Sequence, residues 1–423
     1  MNLRVGAAFM LPASRCPVLI KSQYDLLFST DLRRFSVAKQ PQPRYDIECD
    51  VQHMPSSPTY ITEQGLSMQQ NIVTPATPVH TGVKRFLDAC QHRQPDATPV
   101  WFMRQAGRSL AEFREVRKHY DLLTIAKTPE LCAEVTLMPV KRLGVDGAVL
   151  LADIVIPLED MGISLELQPD VGPIIHNPIR TLRDAEALRI IDPEESTPYV
   201  LESLRLVARE LAGKQAVIGF SGSPFTLACY IIEGRPSRDY AIAKSIMYGQ
   251  PKLWHALMDK LTEVVSRYLV AQIQAGANVV QLFDSWVGML NPNAYKRFVQ
   301  PYVRRVFEAV KQTGAPAIHF GTGAASLLEL MAEAGGDIIG IDWRVNLDDA
   351  WGRVGYERGV QGNLDPTIML TSWPVIEAEV RDVLQRAAGR PGHIFNLGHG
   401  VLAPTNPDML RRVVDAVHEH TRR

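Results

Sequence analysis

From residue 84 onward the chain alternates between short apolar runs rich in β-branched side chains and longer stretches of helical periodicity. A strand buried on both faces reads as a short unbroken apolar run, so this alternation predicts β/α units around a parallel sheet. Eight such runs occur, at 99–103, 147–151, 216–220, 278–283, 316–320, 337–341, 359–362 and 392–397. Helical patterns fall at 111–120, 129–143, 202–211, 251–275 and 326–334. Eight strands interleaved with helices in about 340 residues predict a (β/α)8 TIM barrel with insertions. A doubly wound open sheet is the alternative arrangement of the same units. In either fold, reactive groups belong at the carboxyl ends of the strands.

Residues 1–80 break the pattern, with clusters such as Gln40-Pro41-Gln42-Pro43 and Thr74-Pro75-Ala76-Thr77-Pro78 and no sustained apolar period. They read as an N-terminal extension of low order ahead of a barrel domain at 81–423. Arg4, Arg15 and Lys21, with no acidic residue through position 24, have the composition of an organelle transit segment. A start assigned upstream of Met54 or Met68 explains the same composition more simply, and goes with a cytoplasmic location.

The 423 residues are 46% hydrophobic and 22% charged, enough apolar content for a substantial core. Lys and Arg total 45 against 46 Asp and Glu, a net charge of -1, which argues against an overall basic nucleic-acid binder. No apolar run approaches the roughly 18 residues of a membrane-spanning helix. Cys16, Cys49, Cys90, Cys132 and Cys229 are dispersed and form no Cys-x-x-Cys pair, so neither a disulfide framework nor a zinc knuckle is expected.

The residues just past the eight runs are Arg104, Asp153, Ser221-Gly222-Ser223, Asp284-Ser285, Gly321-Thr322-Gly323, Asp342, Asn363 and Gly398-His399. Each alone fits a helix cap or a turn. Together they form a polar set at one end of the sheet. Arg104, Arg108, Arg114, Arg117 and Lys118 face only Glu112 and Glu115 in sequence, and paired guanidinium forks suit carboxylates or phosphates. A solvated helix start with pairs such as Arg108 to Glu112 accounts for the same run. Asp153 lies in an apolar stretch, where a charge needs a partner. His399 sits between two glycines that let its ring approach a ligand, and Tyr230 alone reads as core.

Arg104-Gln105-Ala106-Gly107-Arg108, the Asp153 strand, the block from Gly222 to Tyr230, Phe283-Asp284-Ser285-Trp286 and Asn396-Leu397-Gly398-His399-Gly400 resemble the uroporphyrinogen decarboxylase family, in order, across residues 82–420. The resemblance implies a barrel-shaped homodimer without cofactor or metal. It would remove carbon dioxide from the four acetate arms of uroporphyrinogen III, giving coproporphyrinogen III. It also implies a cleft lined by Arg104, Gln105, Ala106, Gly107, Arg108, Arg117, Asp153, Tyr230, Ser285 and His399, with Asp153 and Arg104 catalytic. Ser109 stands where the family usually has Tyr, and the smaller side chain is expected to loosen the wall beside Arg108.

The chemistry agrees with that implication. Eight carboxylates around four pyrrole N–H groups match a cationic rim with one anion inside. Asp153 is expected to accept the pyrrole N–H groups and to stabilise the ring cation that drives decarboxylation. Its ordinary pKa makes it a poor acid, so protonation is expected from Arg104, a water or His399. Two rivals remain: a methyltransferase of the same superfamily, against which stands the lack of any His-x-Cys zinc motif, and a catalytically silent tetrapyrrole-binding protein.

Overall fold

The computed structural model describes residues 81–168 and 171–423, so the expected extension at 1–80 lies outside the described residues. Strands β1 (Gly147–Val149), β2 (Leu165–Gln168), β3 (Gly172–Ile175), β4 (Ala216–Gly222), β5 (Val279–Asp284), β6 (Ala317–Gly321), β7 (Ile338–Gly340), β8 (Gly359–Gln361) and β9 (His393–Ile394) follow in chain order. Seven of them form one parallel sheet in the order β1-β4-β5-β6-β7-β8-β9. These are seven of the eight expected runs. β2 and β3 make a separate antiparallel hairpin that the periodicity did not reveal.

The sheet closes on itself through residues 99–101. On the β9 side, Phe395 N–H donates to the Pro99 carbonyl at 2.8 Å and Trp101 N–H to the Phe395 carbonyl at 3.3 Å. On the β1 side, Asp146 N–H donates to the Val100 carbonyl at 2.8 Å. The fold is therefore the (β/α)8 barrel and not the open sheet. One stave departs from expectation: the run at 99–103 pairs only through a single bridge, Val100 to Phe395. Its N–H groups explain why. Val100 donates to Asp146 Oδ2 at 2.8 Å, Phe102 to Gln105 Oε1 at 3.0 Å and Met103 to Asn396 Oδ1 at 3.2 Å, so side chains satisfy what a ladder otherwise would.

Asp146 anchors this closure. Its carboxylate also accepts from the Arg85 guanidinium and from His418 Nε2 at 2.8 Å, joining the helices Gly82–Cys90 and Pro407–Thr421 to the first stave. Arg85 in turn grips Asp96 in a fork at 2.9 and 2.7 Å. Inside the barrel, Trp101 Nε1 donates to Gln361 Oε1 at 2.8 Å and Gln361 Nε2 to Gln281 Oε1 at 2.9 Å, so the polar groups buried there are paired.

The expected helices appear as Ala111–His119, Pro129–Leu143, Pro198–Leu211, Pro251–Gln274 and Leu328–Ala334. The helix Pro224–Glu233 carried no readable stripe because residues 224–232 are all buried. Among the described residues no helix is long and apolar enough to cross a membrane.

Candidate active site

The loop after the first stave turns sharply. Gln105 N–H donates to the Phe102 carbonyl at 3.0 Å, and Arg104 takes a left-handed backbone with φ of 59°. That conformation is sparsely populated for a residue with a Cβ and holds an exposed Arg104 at the rim. Gly107 is required by the same turn, because a Cβ there would lie 2.8 Å from the Arg104 carbonyl oxygen. Gln105 is fully buried, and beyond the bond from Phe102 its Nε2 donates to the Gly147 carbonyl at 2.9 Å, so its side chain ties the loop to β1. Ala106 packs against the core, and Arg108 is exposed on the same loop.

Asp153 lies past the end of β1, half-buried, with its Oδ1 accepting from Val155 N–H at 3.1 Å. Burial pushes its carboxyl above the ordinary range, against the opposing pull of the Val155 N–H and the Arg104 charge. Tyr230 projects from the helix Pro224–Glu233, and burial and the Asp153 charge push its phenol up. Its ring meets Trp286 edge-on at 5.8 Å between centroids, and Trp286 directly follows Ser285 at the end of β5. The Arg104 charge thus acts on both Asp153 and Tyr230, and the Asp153 charge on Tyr230, across the strand ends.

His399 joins them past β9. Burial, then Arg104 and Arg344, push its imidazole down to about 4, with Asp342 opposing. That shift favours the neutral ring. The flanking glycines serve packing rather than ligand access. A Cβ at Gly398 would lie 2.3 Å from the Trp343 nitrogen, and one at Gly400 would lie 2.5 Å from Arg104 Cδ.

His393, behind the sheet, is also pushed down to about 4 by burial. A histidine with its folded value near 4 and its ordinary value of 6.5 binds fewer protons folded than unfolded across that interval. Stability is therefore expected to be complete above pH 6.5 and to fall as the pH drops toward 4. Urea midpoints measured between pH 7 and 4.5 check this, and a midpoint that holds level or rises on acidification contradicts it.

Several expected site residues lie outside this group. Arg117 Nη1 donates to the Tyr120 carbonyl at 2.7 Å at the end of the helix Ala111–His119, and Arg114 Nη1 donates to the carbonyls of Arg108 and Ser109 at 2.7 and 3.0 Å. Each thus uses one guanidinium nitrogen on backbone. Asp284 accepts from Ser223 Oγ, which itself caps the helix Pro224–Glu233 by accepting Thr226 N–H at 3.1 Å. Asn363 Nδ2 donates to the carbonyls of Asp342 and Val345 at 2.9 and 2.7 Å.

Residues 81–420 match the family described as uroporphyrinogen decarboxylase (URO-D). The chain belongs to the uroporphyrinogen decarboxylase family. It is 54% identical to the uroporphyrinogen decarboxylase of Carboxydothermus hydrogenoformans over 334 residues, covering 79% of this chain and 95% of that protein. The same figures hold for the uroporphyrinogen decarboxylase of Sorangium cellulosum. Among solved structures, a methyltransferase from Methanosarcina mazei shares the fold with a TM-score of 0.69 at 20% identity, over 80% of this chain and 99% of that one.

In this member of the uroporphyrinogen decarboxylase family, sequence reasoning missed an aromatic floor. Phe220 meets Phe283 at 5.5 Å, Phe283 meets Phe320 at 6.0 Å and Phe320 meets His399 at 6.4 Å. The signal was present: each Phe immediately precedes a strand-end position, Ser221, Asp284 or Gly321, and Phe283 and Phe320 are partners in register on neighbouring strands. Arg344 was missed as well, two residues past the strand-end Asp342. Ser109 is buried with no hydrogen-bond partner for its Oγ, and its carbonyl and that of Arg108 accept from Arg114 Nη1.

Proposed function

We propose that this protein decarboxylates the four acetate arms of uroporphyrinogen III to methyl groups, yielding coproporphyrinogen III and carbon dioxide for tetrapyrrole biosynthesis. The observation that carries the reading is half-buried Asp153 at the end of β1, its carboxyl raised by desolvation and opposed by the Arg104 charge, in a barrel whose strand ends also hold the aromatic floor of Phe283 and Phe320. A flat macrocycle covers such a floor, its carboxylates meet Arg104 and Arg108, and its pyrrole N–H groups meet Asp153.

We assign the proton donation to Asp153, whose carboxyl burial raises, in place of the Arg104, water or His399 expected from the sequence. Burial pushes the Tyr230 phenol up, and burial with two nearby cations pushes the His399 imidazole down, which supports neither as the acid. Asp153 gives its proton to the ring carbon beside an acetate arm, and the carboxylate left behind faces the cationic ring. The C–CO2 bond breaks and its electron pair enters the ring, leaving an exocyclic methylene. That carbon takes a proton from water to become methyl, and the ring carbon returns its proton to Asp153. Each arm consumes one proton and releases one carbon dioxide, with the pyrrole itself as electron sink.

Anaerobic incubation with uroporphyrinogen III tests this. The expected result is a series of products with seven, six, five and finally four carboxylates. Substrate that binds but is recovered intact would favour the silent binding protein. The methyltransferase rival rests on a shared barrel at 20% identity.

The same proposal takes the chain as a cytoplasmic homodimer. A chain beginning at residue 81 is expected to keep kcat/KM within about twofold, since the family match itself starts at residue 81. Loss of turnover on that truncation would tie the extension to the barrel, and sedimentation at monomer mass would remove the dimer.

A further inference from the structure

We propose that Arg344 is a further substrate-binding residue, gripping one carboxylate arm of the macrocycle from the β7 side of the cleft; this rests on the reading above. The need for it arises from the cation count. Arg114 and Arg117, two of the guanidinium groups expected at the rim, are bonded to backbone carbonyls. Arg104 and Arg108 hang from one loop, and an octacarboxylate extends well beyond one loop.

Arg344 sits at the strand ends, past β7, and is reached from the Arg104 loop by way of β9 and β8. Its position is fixed by two contacts. Its Nη1 donates to Asp342 Oδ2 at 2.7 Å, and its own N–H donates to Asp342 Oδ1 at 3.0 Å. Its guanidinium carbon stands 3.8 Å from the centre of the Trp343 ring, a stacked cation. Asp342 is itself buried and also receives Gly323 N–H, so the anchor is rigid.

The Trp343 ring lies perpendicular to His399, with centroids 6.1 Å apart. The Arg344 charge reaches His399 as the Arg104 charge does, so two cations converge on one imidazole from different staves. The Arg344 side chain keeps 47% of its surface open. One fork edge is held by Asp342, and the remaining N–H groups have no protein partner among the described residues. A fork stacked on an indole and braced by a buried carboxylate is preorganised for bidentate capture of a carboxylate.

The test is steady-state kinetics of Arg344→Gln on uroporphyrinogen III. KM is expected to rise about tenfold or more, with kcat little changed, because a charge-assisted contact present in both ground and transition states is lost. Arg344→Lys is expected to recover only part of the loss, since a point charge lacks the fork. A purely structural role, in which Arg344 merely neutralises Asp342, is separated by the double variant Asp342→Asn with Arg344→Gln. Neutralisation alone predicts that KM returns to its starting value, whereas carboxylate capture predicts that it stays raised. Unfolding midpoints confirm that each variant is folded when assayed. An unchanged KM in Arg344→Gln, a fall confined to kcat, or a KM restored in the double variant overturns the inference while leaving the decarboxylase reading intact. An unaltered enzyme that does not turn over uroporphyrinogen III takes both down.

Discussion

Asp153→Asn is expected to lower turnover of uroporphyrinogen III by roughly 10²-fold or more, the loss that follows removal of one preorganised charge-stabilising group. The substitution keeps size and one acceptor oxygen, so pyrrole N–H groups still find a partner and KM moves little. Two functions disappear together. The amide has no proton of suitable acidity to give to the ring carbon, and it leaves no anion facing the cation that results. The surroundings sharpen the effect, because burial has already raised the Asp153 carboxyl and little water stands ready to replace it. The measurement is the rate of carbon dioxide release under single-turnover anaerobic conditions. Near-normal release by this variant would sink the assigned role of Asp153.

Asp146→Ala is expected to destabilise the fold by about 3–5 kcal/mol, the range for removing one partner of a buried charge pair. Asp146 is 3% exposed and receives three donors from three parts of the chain: Val100 N–H, the Arg85 guanidinium and His418 Nε2. Removal leaves the fully buried Val100 N–H without an acceptor, and Arg85 keeps only its fork to Asp96. Against a typical total of about 5–15 kcal/mol, that is a large fraction of the stability of the barrel. Urea unfolding reads it as a lower midpoint at unchanged slope. A loss below about 1 kcal/mol would mean that Asp146 does not anchor the first stave.

The barrel was legible because its strands are short apolar runs at regular intervals, and that pattern survives in seven of eight staves. The eighth defeated it for a local reason. The residues at 99–103 have the composition of a strand, while the partners that take their N–H groups are side chains, Gln105 on the adjoining loop and Asp146 and Asn396 from elsewhere in the chain. Arg104, Asp153 and His399 could be placed at strand ends from sequence because their runs are apolar and they are not. Charge counting could not show that Arg114 and Arg117 also bond backbone carbonyls, or that Gln105 ties the loop to β1. Titration was beyond sequence reasoning altogether, since the raised Asp153 and lowered His399 follow from burial.

The lone bridge at Val100 is followed within a few residues by the loop carrying Arg104 and Arg108. The seam where the cylinder is zipped shut and the wall that meets the anionic guest are therefore one piece of chain. On the proposed function, a fluctuation that unfastens the seam would carry both guanidinium groups with it and couple mechanical integrity to ligand capture.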